Sequence, residues 1–161
     1  MSRRFLTRSV DETRRLAGDL APLARAGDVI LLAGELGAGK TAFVQGFARA
    51  MGVEEHVTSP TFTLMHTYTG RLQLLHVDVY RLDHLQEIND LGLAELVDES
   101  SVALIEWGDM AEPVLPADFL EIRIEYGPGD DDRVFGLRPV GSPWGARARA
   151  LDDALAVWAQ P

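Results

Sequence analysis

Eight residues constrain this chain more than any others: Gly34-Glu35-Leu36-Gly37-Ala38-Gly39-Lys40-Thr41 satisfy the pattern G-x-x-x-x-G-K-[ST]. Before them, residues 28–33 form an apolar run rich in Val, Ile and Leu, which fits a strand buried on both faces. After them, residues 40–51 are helix-prone and are followed by Gly52, a common C-terminal stop. In such a setting the glycines let the backbone curl so that successive N–H groups point into one concavity, and the next helix adds its positive end. Lys40 can then reach β- and γ-phosphates, and the Thr41 hydroxyl can reach Mg²⁺. The main chain of Glu35, Leu36, Gly37, Ala38, Gly39, Lys40 and Thr41, with Ala42 in the first helical turn, is the expected phosphate cradle. Of the 15 basic residues Lys40 is the only lysine, so a compact, flexible ammonium stands at the position where a point charge must reach between phosphates.

The rest of the chain predicts an α/β fold. Residues 10–25 carry Val10, Leu16, Leu20 and Leu23 at roughly helical spacing with acidic residues early. Residues 61–68 and 72–80 are β-prone and flank a Thr-Gly-Arg turn, which predicts a hairpin and hence an antiparallel portion of the sheet. Residues 82–97 read as helix with a break near Gly92, and 102–105 as a second apolar strand ending at Glu106. Residues 119–126 and 133–140 form another strand pair, and 143–158 an Arg- and Ala-rich helical tail. The expected organisation is a three-layer sandwich of the P-loop nucleotide-hydrolase type, with a mixed parallel and antiparallel central sheet over residues 1–140 and a helical extension over 141–161.

Three further groups carry candidate chemistry. Glu106 closes an apolar strand, where open α/β sheets bind ligands, and suits magnesium or its water shell; otherwise it is a surface glutamate at a strand end. On strand 72–80, alternation puts Leu74, His76, Asp78 and Tyr80 on one face, which either lines the nucleotide site or meets solvent. In the first case Asp78 orients the attacking water or a magnesium-bound water, while His76 alone reads as a hydrogen-bonded structural residue. Thr58-Ser59-Pro60-Thr61-Phe62-Thr63 packs hydroxyls around a proline, as an ordinary turn or as a loop that closes on the γ-phosphate.

Composition narrows the function classes. A net charge of −10 opposes a broad nucleic-acid-binding face, so any RNA connection needs a partner. The absence of cysteine excludes disulfides, thiol catalysis and cysteine metal clusters. The longest apolar stretch, 29–33, is too short to span a bilayer, and the arginine-bearing start is followed by no apolar run. A cytoplasmic protein without membrane partners is the expectation.

Taken together, the loop at Gly34, Thr-Ser-Pro-Thr-Phe-Thr-Leu at Thr58, His-Val-Asp-Val-Tyr-Arg-Leu at His76 and Leu-Ile-Glu-Trp at Leu104 resemble the TsaE family, also called YjeE, from about residue 10 to 140. The resemblance implies an ATPase of tRNA threonylcarbamoyladenosine synthesis that assembles with TsaB and TsaD and meets tRNA only through them. It implies ATP and Mg²⁺ as cofactors, Thr41 and Glu106 at the magnesium site, and Lys40, Asp78 and Glu106 as the catalytic set. It also implies a switch-like loop from Ser59 to Thr61, Val10 to Thr13 near the base and Arg133 near the ATP site. Residues 141–161 match no motif of the family.

Two other readings stay open. A small-molecule P-loop kinase needs arginines closing over the transferred phosphate, for which Arg81, Arg133 and Arg138 are scattered candidates. A nucleotide-gated assembly factor would hydrolyse ATP only incidentally. A GTPase is excluded in its usual form, because Asn-Lys-x-Asp needs a second lysine.

Overall fold

A computed structural model describes residues 4–35, 37–58, 65–79, 100–107 and 117–160; the side chains of Val79 and Trp107 are not described. Seven strands form one sheet: β1 (Arg4–Thr7), β2 (Val29–Gly34), β3 (Met65–Thr69), β4 (Gln73–Val79), β5 (Ser101–Trp107), β6 (Phe119–Tyr126) and β7 (Arg133–Val140), in the order β1-β7-β6-β2-β5-β4-β3. The centre is parallel, with β2 between β5 and β6 and β4 beyond β5. Antiparallel pairs β3–β4 and β1–β7–β6 flank it, so the mixed α/β sheet is as expected.

Strand β2 and most of β5 are apolar because both their faces are buried, whereas β6, on the other side of β2, alternates buried and exposed residues. Ile30, Leu32, Leu104, Leu120 and Ile122 face α1 (Val10–Leu20) and α2 (Lys40–Ala50) in one core with Leu16, Leu20, Phe43, Val44 and Phe47. On the opposite face Val29, Leu31, Ala33, Leu75, Val77, Ala103 and Ile105 are buried as well. Burying both faces removes every side chain of β2 from water, and the strand carries no charged residue.

Ser9 caps α1 by accepting from the Glu12 amide, while the Glu12 carboxylate accepts from the Arg8 amide. The helix stops at Leu20, short of the expected Arg25. Pro22 has no N–H to continue the ladder, so the chain tightens into a 3₁₀ turn over Ala21–Leu23. Val10 is exposed rather than part of the apolar stripe. The two helices pack closely because Gly46 has no side chain: a Cβ there would stand 2.1 Å from the Arg14 carbonyl oxygen.

Both hairpins lie where the turn residues put them, although the first strand of the earlier one begins at Met65, with 61–64 outside the described residues, as are 80–99, where a helix is expected. Strand β1 is unforeseen. Its four residues bury only Phe5 and Thr7, too short an alternation to stand out among arginines. The tail is interrupted rather than one helix: α3 (Ser142–Gly145), α4 (Ala148–Ala154) and a 3₁₀ turn over Ala156–Trp158. Trp144, Leu151 and Leu155 enter the same core as the α1–α2 face. Arg147 forms two bonds to the Asp28 carboxylate, at 2.7 and 2.8 Å, and one to the Leu23 carbonyl at 2.9 Å. No helix among the described residues is long and apolar enough to cross a membrane.

Candidate functional site

The site is built where β2, the middle strand, runs into α2. Gly34 ends β2 at φ 155°, and a Cβ there would lie 2.5 Å from the Ile124 carbonyl oxygen on β6, so only glycine lets the two strands close at this point. Gly39 caps α2 in the left-handed region at φ 111° and offers no side chain to the first turn. The amides of Lys40, Thr41 and Ala42 therefore open α2 without an intrahelical acceptor, at the positive end of the helix. Between these glycines the Ala38 amide donates to the Glu35 carbonyl at 3.0 Å, closing a tight turn. Lys40 Nζ reaches back across the loop and donates to the Gly34 carbonyl at 2.6 Å. Leu36 lies outside the described residues.

Thr41 points from the first turn of α2 towards β5. Its Oγ1 lies 3.4 Å from both carboxylate oxygens of Glu106, a residue 65 positions later in the chain. Glu106 is no surface glutamate, for it is only 4% exposed. Asp78 pairs with it in register across the parallel β4–β5 ladder and is partly exposed. The side of β4 that carries His76 and Asp78 is thus the helix side of the sheet, buried at His76 and partly open at Asp78. His76, two residues before Asp78 on the same face, is fully buried, and its Nε2 contacts Glu106 Oε2.

Arg133 closes the opposite side. From the start of β7 its Nε donates to the Ala38 carbonyl at 3.0 Å, while Nη1 holds the Asp130 and Asp132 carbonyls of the preceding turn. Its guanidinium stacks 4.5 Å from the ring of Tyr126, its cross-strand partner. Tyr126 lies over the loop, its hydroxyl 3.3 Å from where a Gly37 Cβ would be.

The structure brings together Glu35, Gly37, Ala38, Gly39, Lys40, Thr41, Ala42, Arg133, Asp78 and Glu106. Val10 stands exposed at the start of α1 and is joined to the loop by none of these contacts. Thr61 and the rest of 59–64 lie outside the described residues. The chain leading to them is tied down: Gln45 Nε2 on α2 donates to the Val57 carbonyl at 3.0 Å, and the Thr58 amide to the Tyr68 hydroxyl at 3.4 Å. Tyr126, Gln45 and Tyr68 carry no motif of their own; only the register of the strands and the face of α2 bring them to the site.

The donor set of Thr41 and Glu106, a hydroxyl and a buried carboxylate, is hard oxygen, the chemistry that magnesium takes. A row of helix-start amides and one ammonium beside it suits anionic oxygens. Fold and site together define an α/β protein of the class that carries a glycine-rich anion loop between the middle strand of a mixed sheet and the following helix. A family model described as threonylcarbamoyl adenosine biosynthesis protein TsaE matches residues 7–134. The chain belongs to the TsaE family.

Relatives are similar over most of their length. A tRNA threonylcarbamoyladenosine biosynthesis protein TsaE from Bacillus subtilis is 42% identical over 140 residues, 86% of this chain and 87% of that one. One from Treponema pallidum is 45% identical over 113 residues, 70% of this chain and 84% of that one. The crystal structure of YdiB from Bacillus subtilis superposes with a TM-score of 0.77 at 36% identity, covering 98% of this chain and 95% of that chain.

Proposed function

We propose that this chain is a magnesium-dependent ATPase that supports the formation of threonylcarbamoyladenosine in tRNA without carrying that chemistry itself. The observation that carries the reading is the meeting of the Thr41 hydroxyl and the buried Glu106 carboxylate, 3.4 Å apart, at the mouth of the glycine loop. The amides of residues 37–42 would take the triphosphate oxygens, and Lys40 would exchange its bond to the Gly34 carbonyl for the β- and γ-phosphates. Thr41 and Glu106 would hold the magnesium, which would supply Lewis-acid stabilisation of the charge on the phosphates. With Glu106 so engaged, Asp78 beside it on β4 orients the attacking water. Arg133 braces the loop through the Ala38 carbonyl and so keeps the amides aimed at the phosphates.

The kinase alternative loses support from the arginines it needs: Arg133 is spent on the loop and Arg138 on Glu121, its Nε 2.6 Å from the carboxylate, while Arg81 lies outside the described residues. The acidic surface favours work through partners of the TsaB and TsaD type in the cytoplasm, since a chain of charge −10 repels RNA. The test is a reconstituted threonylcarbamoylation assay with those partners, run with Lys40→Ala and Glu106→Ala. Loss of both phosphate release and tRNA modification is expected; survival of both in either variant overturns the reading.

A further inference from the structure

His76 is fully buried on β4, and among the described residues only one of its two ring nitrogens has a partner. Nε2 contacts Glu106 Oε2, whereas Nδ1 has no hydrogen-bond partner among the described residues. The neighbours of His76 on its face are Leu74 and Leu104 on one side and, across the antiparallel pair, His66 on the other, so the layer is part apolar and part polar. The contact that engages the buried imidazole itself is the one to Glu106.

An ionised carboxylate has lone pairs only, so Nε2 carries the hydrogen and donates it. That bond occupies one oxygen of Glu106 and fixes the rotation of the carboxylate, whose two oxygens then stand equally far, 3.4 Å, from the Thr41 hydroxyl. A carboxylate free to rotate would lose conformational freedom each time it took up a cation, whereas one already held does not.

We infer that His76 is a positioning residue that pre-orients the Glu106 carboxylate for the divalent cation. The inference rests on the magnesium reading above. Fully buried behind Glu106, His76 would act on the cation through that carboxylate, so its removal should weaken the cation's contribution to nucleotide binding and leave metal-free binding alone.

The test is calorimetric titration of the full chain with ADP, once in Mg²⁺ and once in EDTA, comparing the ratio of the two affinities across variants. Mn²⁺ binding to the ADP complex, followed by electron paramagnetic resonance, provides a second readout independent of turnover. His76→Leu should reduce the Mg²⁺/EDTA ratio by about 10- to 100-fold with unchanged affinity in EDTA. His76→Gln, whose amide can reach the Nε2 position, should keep most of the ratio. If His76→Leu does not fold, His76→Asn decides against His76→Gln, because its shorter amide stops at the Nδ1 position. A ratio equal to wild type in His76→Leu, or in His76→Asn, overturns the inference alone. A wild-type protein that binds ADP equally in Mg²⁺ and EDTA overturns the metal reading and the inference with it.

Discussion

Lys40 holds the Gly34 carbonyl at 2.6 Å, so the ammonium already lies across the loop that phosphates would enter. Replacing it with alanine removes a charge-assisted bond worth about 2–3 kcal/mol, and nucleotide affinity should fall roughly 30- to 150-fold by calorimetry. Glu106→Gln is a finer instrument. It keeps the shape and an oxygen for His76 Nε2–H while removing the charge, so Mg²⁺-stimulated phosphate release should drop at least about 10- to 100-fold. Its melting temperature should move little, and a large fall would mean that the carboxylate serves the core instead. Arg133→Ala frees the Ala38 carbonyl and unstacks Tyr126, which should weaken nucleotide binding by about 1 kcal/mol, measured with ADP.

Among the elements, those written in periodic residues were legible and those decided by pairing were not. The apolar runs of β2 and β5 and the turn residues of the hairpins announce themselves, because burial of both faces and the reversal of the chain each demand particular side chains. The glycine loop was legible for the same reason: Gly34 meets the Ile124 carbonyl at a distance no other residue permits. What remained ambiguous was the polar side of β4. Alternation shows that His76 and Asp78 share a face but not which way it points, and only the parallel register with β5 turns it towards Glu106. Strand β1 is settled by its pairing with β7, which four residues among arginines do not announce, and the stop of α1 at Leu20 is set by Pro22, which the helical spacing of Leu16, Leu20 and Leu23 runs across. Gly34→Ala tests the element directly. It sets a Cβ against backbone at a strained φ, so urea unfolding should show a loss of about 2–3 kcal/mol or more, together with loss of nucleotide binding.

Across the whole molecule the tail is tied to the start of the middle strand by one buried ion pair. Asp28 and Arg147 are 7% and 5% exposed, and Arg147 also lies 3.8 Å from the ring of Trp144. Removing one partner strands the other in the core, which typically costs about 3–5 kcal/mol. Arg147→Ala should therefore lower the urea midpoint markedly, while the fraction that stays folded binds ADP as wild type does, because the pair sits at the opposite end of β2 from the loop. Net charge acts at this scale too. With −10 overall, the isolated chain should show no tRNA binding in a gel shift at physiological salt, and any tRNA dependence should appear only when its partners are present.

The claim on which the rest depends is that the loop from Gly34 to Thr41 grips a nucleotide's phosphates. Calorimetric titration of the folded protein with ATP and ADP in magnesium, with Lys40→Ala as control, tests it most directly. Saturable, one-to-one binding that the substitution weakens is the predicted result; heat traces indistinguishable between wild type and Lys40→Ala, or no binding of either nucleotide by the wild type, would contradict it.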